Sequence, residues 1–439
     1  MDDDIASRHR DGPVDPAAAA LLAAHGLQLR VVPNDRPAFD GWLHATARGF
    51  LDTERSESNI AASLASTRHR RLIGVFDPGG PMPDVPVGTF ASWVTDLTVP
   101  GARTVPMVAI SAVTVAPTHQ GRGIARAMME GELRHAVSLG VPMAGLTVSE
   151  STLYGRYGFA PAVATTSWTI DVKRARWAGP IASGRVDFVS REVARRLLPA
   201  LHDEVRLQRP GEIPIPDGHW DRFAELNADA ESAGRVRAVQ YADPAGRVRG
   251  VALYTVAENR DDFTKSRVSL SLLVAADAEA YAGLWRHLIE LPLIGTVTAS
   301  ELSTDEPLLW MISDQRAAQI TLADHHYVRV LDVVTALAAR GYDTPGAVIL
   351  EVTDPLAHSS GRWLLEAGSD GNGLVRADDG PDARDIPVVR LGTAELSAVY
   401  LGGVSLSTLA AAGRVEVTDA AAAARVLAHA ATPRLSFWY

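Results

Sequence analysis

The stretch VTVAPTHQGRGIARAM, residues 113–128, joins a strand to a helix through a glycine-rich turn. Its first half is rich in β-branched residues and ends at a proline, as a strand often does. Gly121 and Gly123 allow the main chain to bend sharply and to approach a ligand closely. A helix that begins near Gly123 directs unpaired N–H groups and the positive end of its dipole at the turn. The stretch therefore predicts an anion site, to which Arg122 and Arg126 add positive charge.

The spacing within this turn excludes two common phosphate-binding motifs. A P-loop needs Gly-Lys-Ser/Thr at the start of the helix, and this turn lacks it. The dinucleotide fingerprint needs glycine or alanine where Arg126 stands. What remains is Gln120-x-x-Gly123-x-Ala125 between a strand and a helix. The alternative is a tight strand-to-helix turn that binds no ligand.

Composition narrows the classes of function. The 439 residues are 47% hydrophobic and 21% charged, with a net charge of −10. The sequence has no basic stripe, which argues against nucleic-acid binding. The acidity is compatible with a cationic substrate, although mild acidity also serves solubility alone. Because the chain has no cysteine, disulfides, thiolate metal sites and cysteine nucleophiles are excluded.

The beginning of the sequence does not resemble a secretion signal. It reads MDDDIASRHRDGPVDPAAAALLAAHG, which is acidic where a signal peptide is basic. No stretch approaches the roughly 20 apolar residues of a membrane span. We therefore expect a cytoplasmic protein whose residues 1–25 form a flexible tail.

The strand–turn–helix pattern occurs twice in the chain. Its second occurrence is RVSLSLLVAADAEAYAGLWRHLIELP, and a further strand follows it, as in the first. The repetition predicts two copies of one α/β unit, over about residues 26–175 and 176–325. The second copy has Asp277-Ala278-Glu279-Ala280 at the turn, with two carboxylates and no glycine, so we expect it to be structural or to wall a cleft. The remainder, residues 326–439, predicts a third, α+β domain.

The glycine-rich turn resembles motif A of the GNAT acyltransferases, in which a splayed strand and a helix N-terminus hold the pyrophosphate of acetyl-CoA. The wider chain resembles a narrower group, the Eis (enhanced intracellular survival) family of GNAT N-acetyltransferases. The anchors are VTVAPTHQGRGIARAM, VSESTLYGRYGF and the final LSFWY. The resemblance implies an α+β fold with two tandem GNAT-like domains, the second degenerate, and a C-terminal sterol-carrier-protein-like domain.

The resemblance also implies which residues form the site. Main-chain pairing with the pantetheine arm of acetyl-CoA is assigned to Val113, Thr114 and Val115. Binding of the pyrophosphate is assigned to Gly121, Arg122, Gly123, Ile124, Ala125 and Arg126. Bordering the cofactor are Ser149 and Glu150, and the general acid is Tyr154. The resemblance implies no metal.

Acetyl transfer to an amine requires one proton to leave the amine and another to reach the departing thiolate. A tyrosine has a pKa near 10, so it stays protonated at neutral pH and can donate to sulfur. Tyr154 suits this role, with Tyr157 as the competing candidate. The resemblance implies that the proton acceptor is the α-carboxylate of the last residue, here Tyr439. The alternative for LSFWY is a C-terminal edge strand that only packs.

The acceptor site is less fully specified. Asp52 and Glu54 follow the first predicted helix, where GNAT proteins meet the acceptor, and the alternative for them is a solvated loop. In the family the position of Trp438 can be acidic, so one carboxylate for a cationic substrate is missing here. The adjacent His325 and His326 would point to opposite faces of a strand, which argues against a shared metal.

These expectations describe an acetyl-CoA-dependent N-acetyltransferase that acts on polycationic amines, of which aminoglycosides are the family's example. Transfer is expected to be direct, in a ternary complex, since no cysteine is available for an acyl-enzyme. The resemblance also implies acetylation of several amines per substrate and a homohexamer. Two alternatives stay open: an N-acetyltransferase of protein or peptide lysines, and a lipid-binding protein that uses the C-terminal domain.

Overall fold

The computed structural model describes residues 3–227, 230, 234–380 and 385–439. The chain forms two compact units. The first takes in the described parts of residues 1–163 and 325–431 together with Tyr439, and the second those of residues 164–324 and 432–438. Within the described residues no helix is long and apolar enough to cross a membrane.

The N-terminal part of the chain alternates helices and strands. In chain order they are α1 (Asp3–Asp11), α2 (Pro16–Ala23), β1 (Gln28–Val31), α3 (Ala38–Gly49), α4 (Glu57–Thr67), β2 (Arg71–Phe76), β3 (Gly88–Val99), β4 (Arg103–Val115), α5 (Ile124–Ser138), β5 (Met143–Thr147) and β6 (Ala160–Asp171). Short 3₁₀ turns cover Pro117–His119 and Gly155–Tyr157.

The rest of the chain continues in the same mixed pattern. The middle part forms α6 (Val172–Ala175), β7 (Arg185–Val189), α7 (Arg191–Arg206), α8 (Asp217–Phe223), β8 (Val236–Ala242), β9 (Val248–Ala257), β10 (Ser266–Ala275), α9 (Ala278–Glu290), β11 (Ile294–Leu302) and β12 (Ala318–Val330). The last part forms α10 (Val333–Ala339), β13 (Gly346–Thr353), β14 (Gly361–Ala367), β15 (Gly373–Ala377), β16 (Val388–Gly392), α11 (Thr393–Val399), α12 (Leu406–Ala411), β17 (Glu416–Val417) and α13 (Ala420–Leu427). Further 3₁₀ turns cover Phe263–Lys265, Pro307–Trp310 and Gln315–Ala317.

The first unit contains a mixed sheet in the order β1-β2-β3-β4-β5-β12. Its neighbouring strands are antiparallel except β4 and β5, which run parallel and are joined through α5. Helix α5 buries Ile124, Ala127 and Met128 in the main core, at the spacing that places residues on one helical face. This packing fixes the start of α5 beside the end of β4.

Strands β4 and β5 diverge before they end. Their pairing covers Met107–Ile110 against Met143–Leu146, whereas β4 continues to Val115. A register shift between β3 and β4 marks a bulge, and Ala112 within it has a positive φ of 52°. A bulge bends its strand. The last residues of β4 therefore turn away from β5 and present a main-chain edge that β5 does not pair.

The second unit repeats this arrangement in the order β6-β11-β10-β9-β8-β7. Here β10 and β11 are the parallel pair, joined through α9, which buries Leu284, Trp285 and Leu288 in the core of the unit. Strand β6 pairs with β11 although it follows β5 in the chain. The predicted repeat of one α/β unit is confirmed, with β6 assigned to the second sheet.

The last part of the first unit is an α+β region, as predicted. Its sheet has the order β15-β14-β13-β16-β17, with β13 and β16 parallel. The fully buried Arg340 donates hydrogen bonds to the main-chain oxygens of Tyr400, at 2.7 Å, and Leu427, at 3.0 Å. These oxygens lie at the C-terminal ends of α11 and α13, where the helix dipole is negative. Arg340 therefore stabilises two helix ends within this region.

Residues 3–23 form α1 and α2, so the predicted flexible tail is wrong for the described part of residues 1–25. The buried guanidinium of Arg71 donates to the main-chain oxygens of His9, at 3.3 Å, and Pro13, at 2.8 Å. It also pairs with Glu132, Nε to Oε2 2.9 Å. The buried His9 ring lies 2.9 Å from Ser92 Oγ. The groups that order these helices lie far along the chain, so local composition did not reveal them.

Candidate active site

A cavity of about 360 Å³ lies beside the diverging end of β4. It is lined by Val113, Thr114, Val115, His119, Gln120, Gly121, Gly123, Ile124, Ala125, Arg126, Met129, Leu153, Tyr154, Arg156 and Tyr157. Nine of the residues assigned from the sequence are thus brought together in one wall. The six assigned residues that do not line the cavity are Asp52, Glu54, Arg122, Ser149, Glu150 and Tyr439.

Strand β4 contributes its main chain to this wall. The hydroxyl of the buried Thr114 lies 2.7 Å from that of Thr89, so this side chain is engaged within the sheet. The end of α3 lies against the same residue, because a Cβ on Gly49 would overlap the Thr114 side chain. The unpaired edge of β4 remains as a hydrogen-bonding partner for an extended ligand.

The turn between β4 and α5 needs its two glycines for their backbone conformation. Gly121 and Gly123 have φ angles of 76° and 74°, the left-handed region that glycine tolerates best. A Cβ on either residue would meet nothing within 4 Å, so the space beside both glycines is open. Gly123 is the N-cap of α5 and supplies no side-chain cap. The first N–H groups of a 15-residue helix are therefore directed at the turn without a capping side chain.

The charged side chains around the turn differ in the partners that they have within the chain. Arg126 pairs along α5 with Glu130, Nε to Oε1 2.7 Å, while Arg122 is exposed. His119 lines the cavity, and its Nε2 lies 3.1 Å from Asp77 Oδ2. The hydrogen bond with His119 lowers the pKa of Asp77. Sequence reasoning missed His119; its place within the strand-to-helix turn was the available signal.

Tyr154 lines the cavity at the start of the 3₁₀ turn. Its ring meets Phe159 edge-on, with 6.3 Å between centroids. Burial raises the pKa of the Tyr154 phenol, and the negative charge of Glu150 raises it further. Burial raises the pKa of Tyr157 as well, and that ring also lines the cavity. Both phenols are therefore protonated at neutral pH.

Tyr439 is held at the end of β5. Its main-chain oxygen accepts a hydrogen bond of 2.7 Å from the hydroxyl of Thr147, the last residue of β5. Its buried ring meets Trp93 edge-on at 5.3 Å, and its hydroxyl lies 2.8 Å from His326 Nε2. Burial raises the pKa of this phenol well above the usual value, which keeps it neutral. Since Leu146 forms the last pair between β4 and β5, the main-chain end of Tyr439 lies where these strands diverge.

The remaining assigned residues lie outside the cavity wall. Ser149 and Glu150 are exposed after β5. Asp52 is exposed and forms an ion pair with Arg55, and Glu54 is exposed in the same segment. In the described part of the chain, no three His, Asp or Glu side chains are grouped as metal ligands would be.

Family models match three parts of the chain. The description "Acetyltransferase (GNAT) domain" applies to residues 34–162, which hold the cavity, and again to residues 211–330. The description "Sterol carrier protein domain" applies to residues 333–436. An uncharacterized N-acetyltransferase of Streptomyces avermitilis is 35% identical over 391 residues, which are 87% of this chain and 91% of the relative.

N-acetyltransferase Eis of Mycobacterium tuberculosis is 33% identical over 386 residues, which are 84% of this chain and 90% of the relative. The chain belongs to the Eis family of GNAT N-acetyltransferases. The crystal structure of Eis1 from Mycobacterium abscessus superposes with a TM-score of 0.80 at 26% identity, over 94% of this chain and all of that one. The predicted fold class, two GNAT domains followed by a sterol-carrier-like domain, is confirmed.

Family membership makes this chain an N-acetyltransferase, and GNAT acetyltransferases use acetyl-CoA as the donor. The residues around the cavity fit such a donor. The uncapped start of α5 offers N–H groups for a pyrophosphate, and the cavity that the glycine turn lines leaves it room. The unpaired edge of β4 offers main-chain partners for the amide groups of pantetheine.

The equivalent turn of the second unit has a different chemistry. Asp277 is the N-cap of α9, and its Oδ1 accepts a hydrogen bond of 2.9 Å from the main-chain N–H of Ala280. Its Oδ2 lies 3.0 Å from Arg249 Nε. A carboxylate of the chain itself therefore occupies the place of an external anion at this helix. The turn of the second unit therefore lacks the uncapped helix start that the first unit offers to a donor.

Proposed function

We propose that this Eis-family enzyme transfers the acetyl group of acetyl-CoA directly to an amine of a polycationic acceptor, such as an aminoglycoside. One observation carries the proposal: the β4 edge, the uncapped start of α5 and the protonated Tyr154 all line a single cavity. These are the three parts that acetyl transfer needs, namely a hold on the donor's arm, a hold on its phosphates and a proton source.

The donor is held mainly by main-chain groups in this proposal. Val113, Thr114 and Val115 pair with the pantetheine arm, as an added strand would. The turn and first helical residues, Gly121, Arg122, Gly123, Ile124, Ala125 and Arg126, hold the pyrophosphate. Because Arg126 already pairs with Glu130, the N–H groups of α5 contribute more than its guanidinium does. Ser149 and Glu150 border the donor from the loop after β5.

Tyr154 is the proposed general acid. When bound, acetyl-CoA supplies an acyl carbon activated by a sulfur leaving group. The amine nitrogen forms a bond to that carbon, the bond from carbon to sulfur breaks, and the O–H proton of Tyr154 passes to the thiolate. The raised pKa of Tyr154 keeps the proton in place until the thiolate forms. Solvent then returns a proton to the phenolate.

The α-carboxylate of Tyr439 is the proposed proton acceptor for the amine. Its support is the Thr147 hydrogen bond, which holds the main-chain oxygen of Tyr439 at the end of β5. A free α-carboxyl has a pKa of about 3.5, so it is a weak base for an ammonium group. Transfer through a bridging water lessens this mismatch. The His326 contact holds the ring of Tyr439 from its other end, at the phenol hydroxyl.

The acceptor is proposed to enter beside the segment that carries Asp52 and Glu54. Both carboxylates are exposed, Asp52 in an ion pair with Arg55 that a cationic substrate would have to replace, and the chain as a whole carries a net charge of −10. A polycationic substrate bound mainly by charge can present more than one amine in turn. We therefore expect several acetyl groups per acceptor molecule.

The test is thiol release from acetyl-CoA with a panel of aminoglycosides and a lysine peptide. The native chain is compared with a chain that carries one alanine after Tyr439. The proposal expects turnover of an aminoglycoside by the native enzyme, and loss of turnover with retained acetyl-CoA binding in the extended chain. Equal turnover by both chains would contradict the role of Tyr439, and turnover of the lysine peptide alone would contradict the acceptor class.

We also propose a cytoplasmic homohexamer, supported by family membership alone. Light scattering on the purified protein is expected to give six times the chain mass of 46.8 kDa. A monomer or dimer mass would contradict this proposal and leave the chemistry above unaffected.

A further inference from the structure

A buried ion pair within the first unit lies behind the turn that carries Tyr154. Arg329, on β12, has no exposed surface, and its Nη2 lies 2.8 Å from Oδ2 of Asp354, whose side chain is also fully buried. The Arg329 Nη1 donates a second hydrogen bond to the main-chain oxygen of Tyr157. One guanidinium thus joins a carboxylate of the C-terminal region to the main chain of the active-site turn.

The turn is shaped to receive this guanidinium. Gly158 follows the turn with a positive φ of 83°, and a Cβ there would overlap Nη1 of Arg329. Within the turn the N–H of Tyr157 donates to the main-chain oxygen of Tyr154 at 3.0 Å. The carbonyl that Arg329 binds therefore belongs to the same hydrogen-bonded turn as Tyr154.

Asp354 is itself rigidly held. It follows β13, and its carboxylate accepts main-chain hydrogen bonds from Leu356 at 3.0 Å, His358 at 2.9 Å and Ser359 at 3.1 Å. Burial alone would raise the pKa of Asp354, but the charge of Arg329 and these N–H donors lower it overall. The carboxylate is therefore a charged and fixed anchor for Arg329.

We propose that Arg329 and Asp354 are positioning residues that hold the turn of Tyr154 against the cavity, and that through Asp354 the sterol-carrier-like domain contributes to the placement of the general acid. The inference rests on the proposed role of Tyr154 as general acid. A buried pair of charges is weak evidence for stability, because desolvation opposes the attraction. A geometric role explains its presence, since a fork of two donors can fix a carboxylate and a carbonyl at the same time.

The test uses Arg329→Lys, which keeps the charge but loses the planar fork. The matched control is Arg340→Lys, at an equally buried arginine of the same compact unit that contacts helix ends and not the turn. For each variant the melting temperature, kcat and KM for acetyl-CoA are measured well below the melting temperature. We expect a fall in kcat of about tenfold with R329K at an almost unchanged KM, and native kcat with R340K.

Asp354→Asn serves as a second variant in case R329K does not fold. It removes the charge of the anchor but keeps its shape, and we expect it to lower kcat in the same way as R329K. Equal losses of kcat in R329K and R340K, or native kcat in R329K and D354N, would overturn the inference.

The background Tyr154→Phe separates this inference from the proposed function. If Arg329 acts through Tyr154, R329K lowers kcat in the native chain and adds no loss to Y154F. An equal additional loss in Y154F would overturn the inference and leave the acid assignment standing. Native kcat in Y154F alone would overturn the acid assignment, and the inference with it.

Discussion

In both GNAT units a helix begins after the first strand of the parallel pair. The two units differ in what is available to bind the free N–H groups at the start of that helix. In the first unit, Gly121 and Gly123 leave the start of α5 uncapped and open. In the second unit, Asp277 caps α9 and is paired with Arg249. A helix N-terminus is therefore an anion site only where the chain does not supply an anion of its own. The comparison teaches that the residues of one strand-to-helix turn can decide whether a copy of this fold offers a donor site or serves only as structure.

The largest effect that we expect is a fall in kcat when Tyr154 is replaced, because we propose that only the first unit carries out acetyl transfer. Replacement Y154F removes the proton donor and keeps the ring, so kcat should fall by at least about 100-fold, the usual lower range for a general acid. KM for acetyl-CoA should change little. The control is Y157F, whose hydroxyl also reaches the cavity wall. Loss of kcat in Y157F and not in Y154F would assign the acid to Tyr157.

The second prediction concerns the N-terminal helices of the first unit. Burial, with the nearby charges of His135 and Arg71, lowers the pKa of His9 to about 3, whereas an unfolded histidine has a pKa of about 6.5. Between these values the unfolded state binds the proton and the folded state does not, so stability falls as the pH falls below 6.5. When the pH falls from 7.5 to 5, the free energy of unfolding of the native chain should decrease by about 2 kcal/mol more than that of the His9→Gln variant.

Chemical denaturation at the two pH values measures this difference. The control is His25→Gln, at an exposed histidine that follows α2. The same pH dependence in the native chain and in H9Q would show that His9 does not remain neutral in the folded protein.

The third prediction concerns a substitution that gives the turn of the first unit a carboxylate at the start of its helix, as the turn of the second unit has. Gly123→Asp places a carboxylate at the start of α5, where it competes with the pyrophosphate, so KM for acetyl-CoA should rise at least about tenfold. The control is Gly140→Asp at the other end of α5, which has the same φ of 74° and the same open surroundings. If G140D raised KM as much as G123D, backbone strain and not charge would be the cause.

The smallest effect concerns the cap of the second unit. Asp277→Ala removes the cap of α9 and should lower the free energy of unfolding by about 1 kcal/mol. It should leave kcat and KM unchanged, because this turn is not part of the donor site. A change in KM for acetyl-CoA with D277A would break the distinction between the two units.

The sequence predicted the features that depend on neighbouring residues. The turn at residues 117–126 is local, so its glycines and helix start indicated an anion site directly. The repeat was predicted for the same reason, since each copy carries its own strand–turn–helix pattern. The assignment of β6 to the second sheet was not predicted, because strand pairing depends on partners that are distant in sequence.

Long-range contacts account for what sequence reasoning missed. Arg71, on β2, holds α1 and α2 in place through hydrogen bonds to the main chain of residues 9 and 13. No property of residues 1–25 alone indicated this contact. His326 was interpreted as an ordinary histidine, yet it contacts the hydroxyl of Tyr439, more than 100 positions further along the chain. The link from Asp354 through Arg329 to Tyr157 likewise joins parts of the chain that share no local pattern.

The most direct test of the central claim is isothermal titration of the native chain, G123D and D277A with acetyl-CoA. We predict one binding site per chain, weakened at least tenfold in G123D and unchanged in D277A. Two equal sites per chain, or one site that is weakened by D277A and not by G123D, would contradict the assignment of donor binding to the first unit.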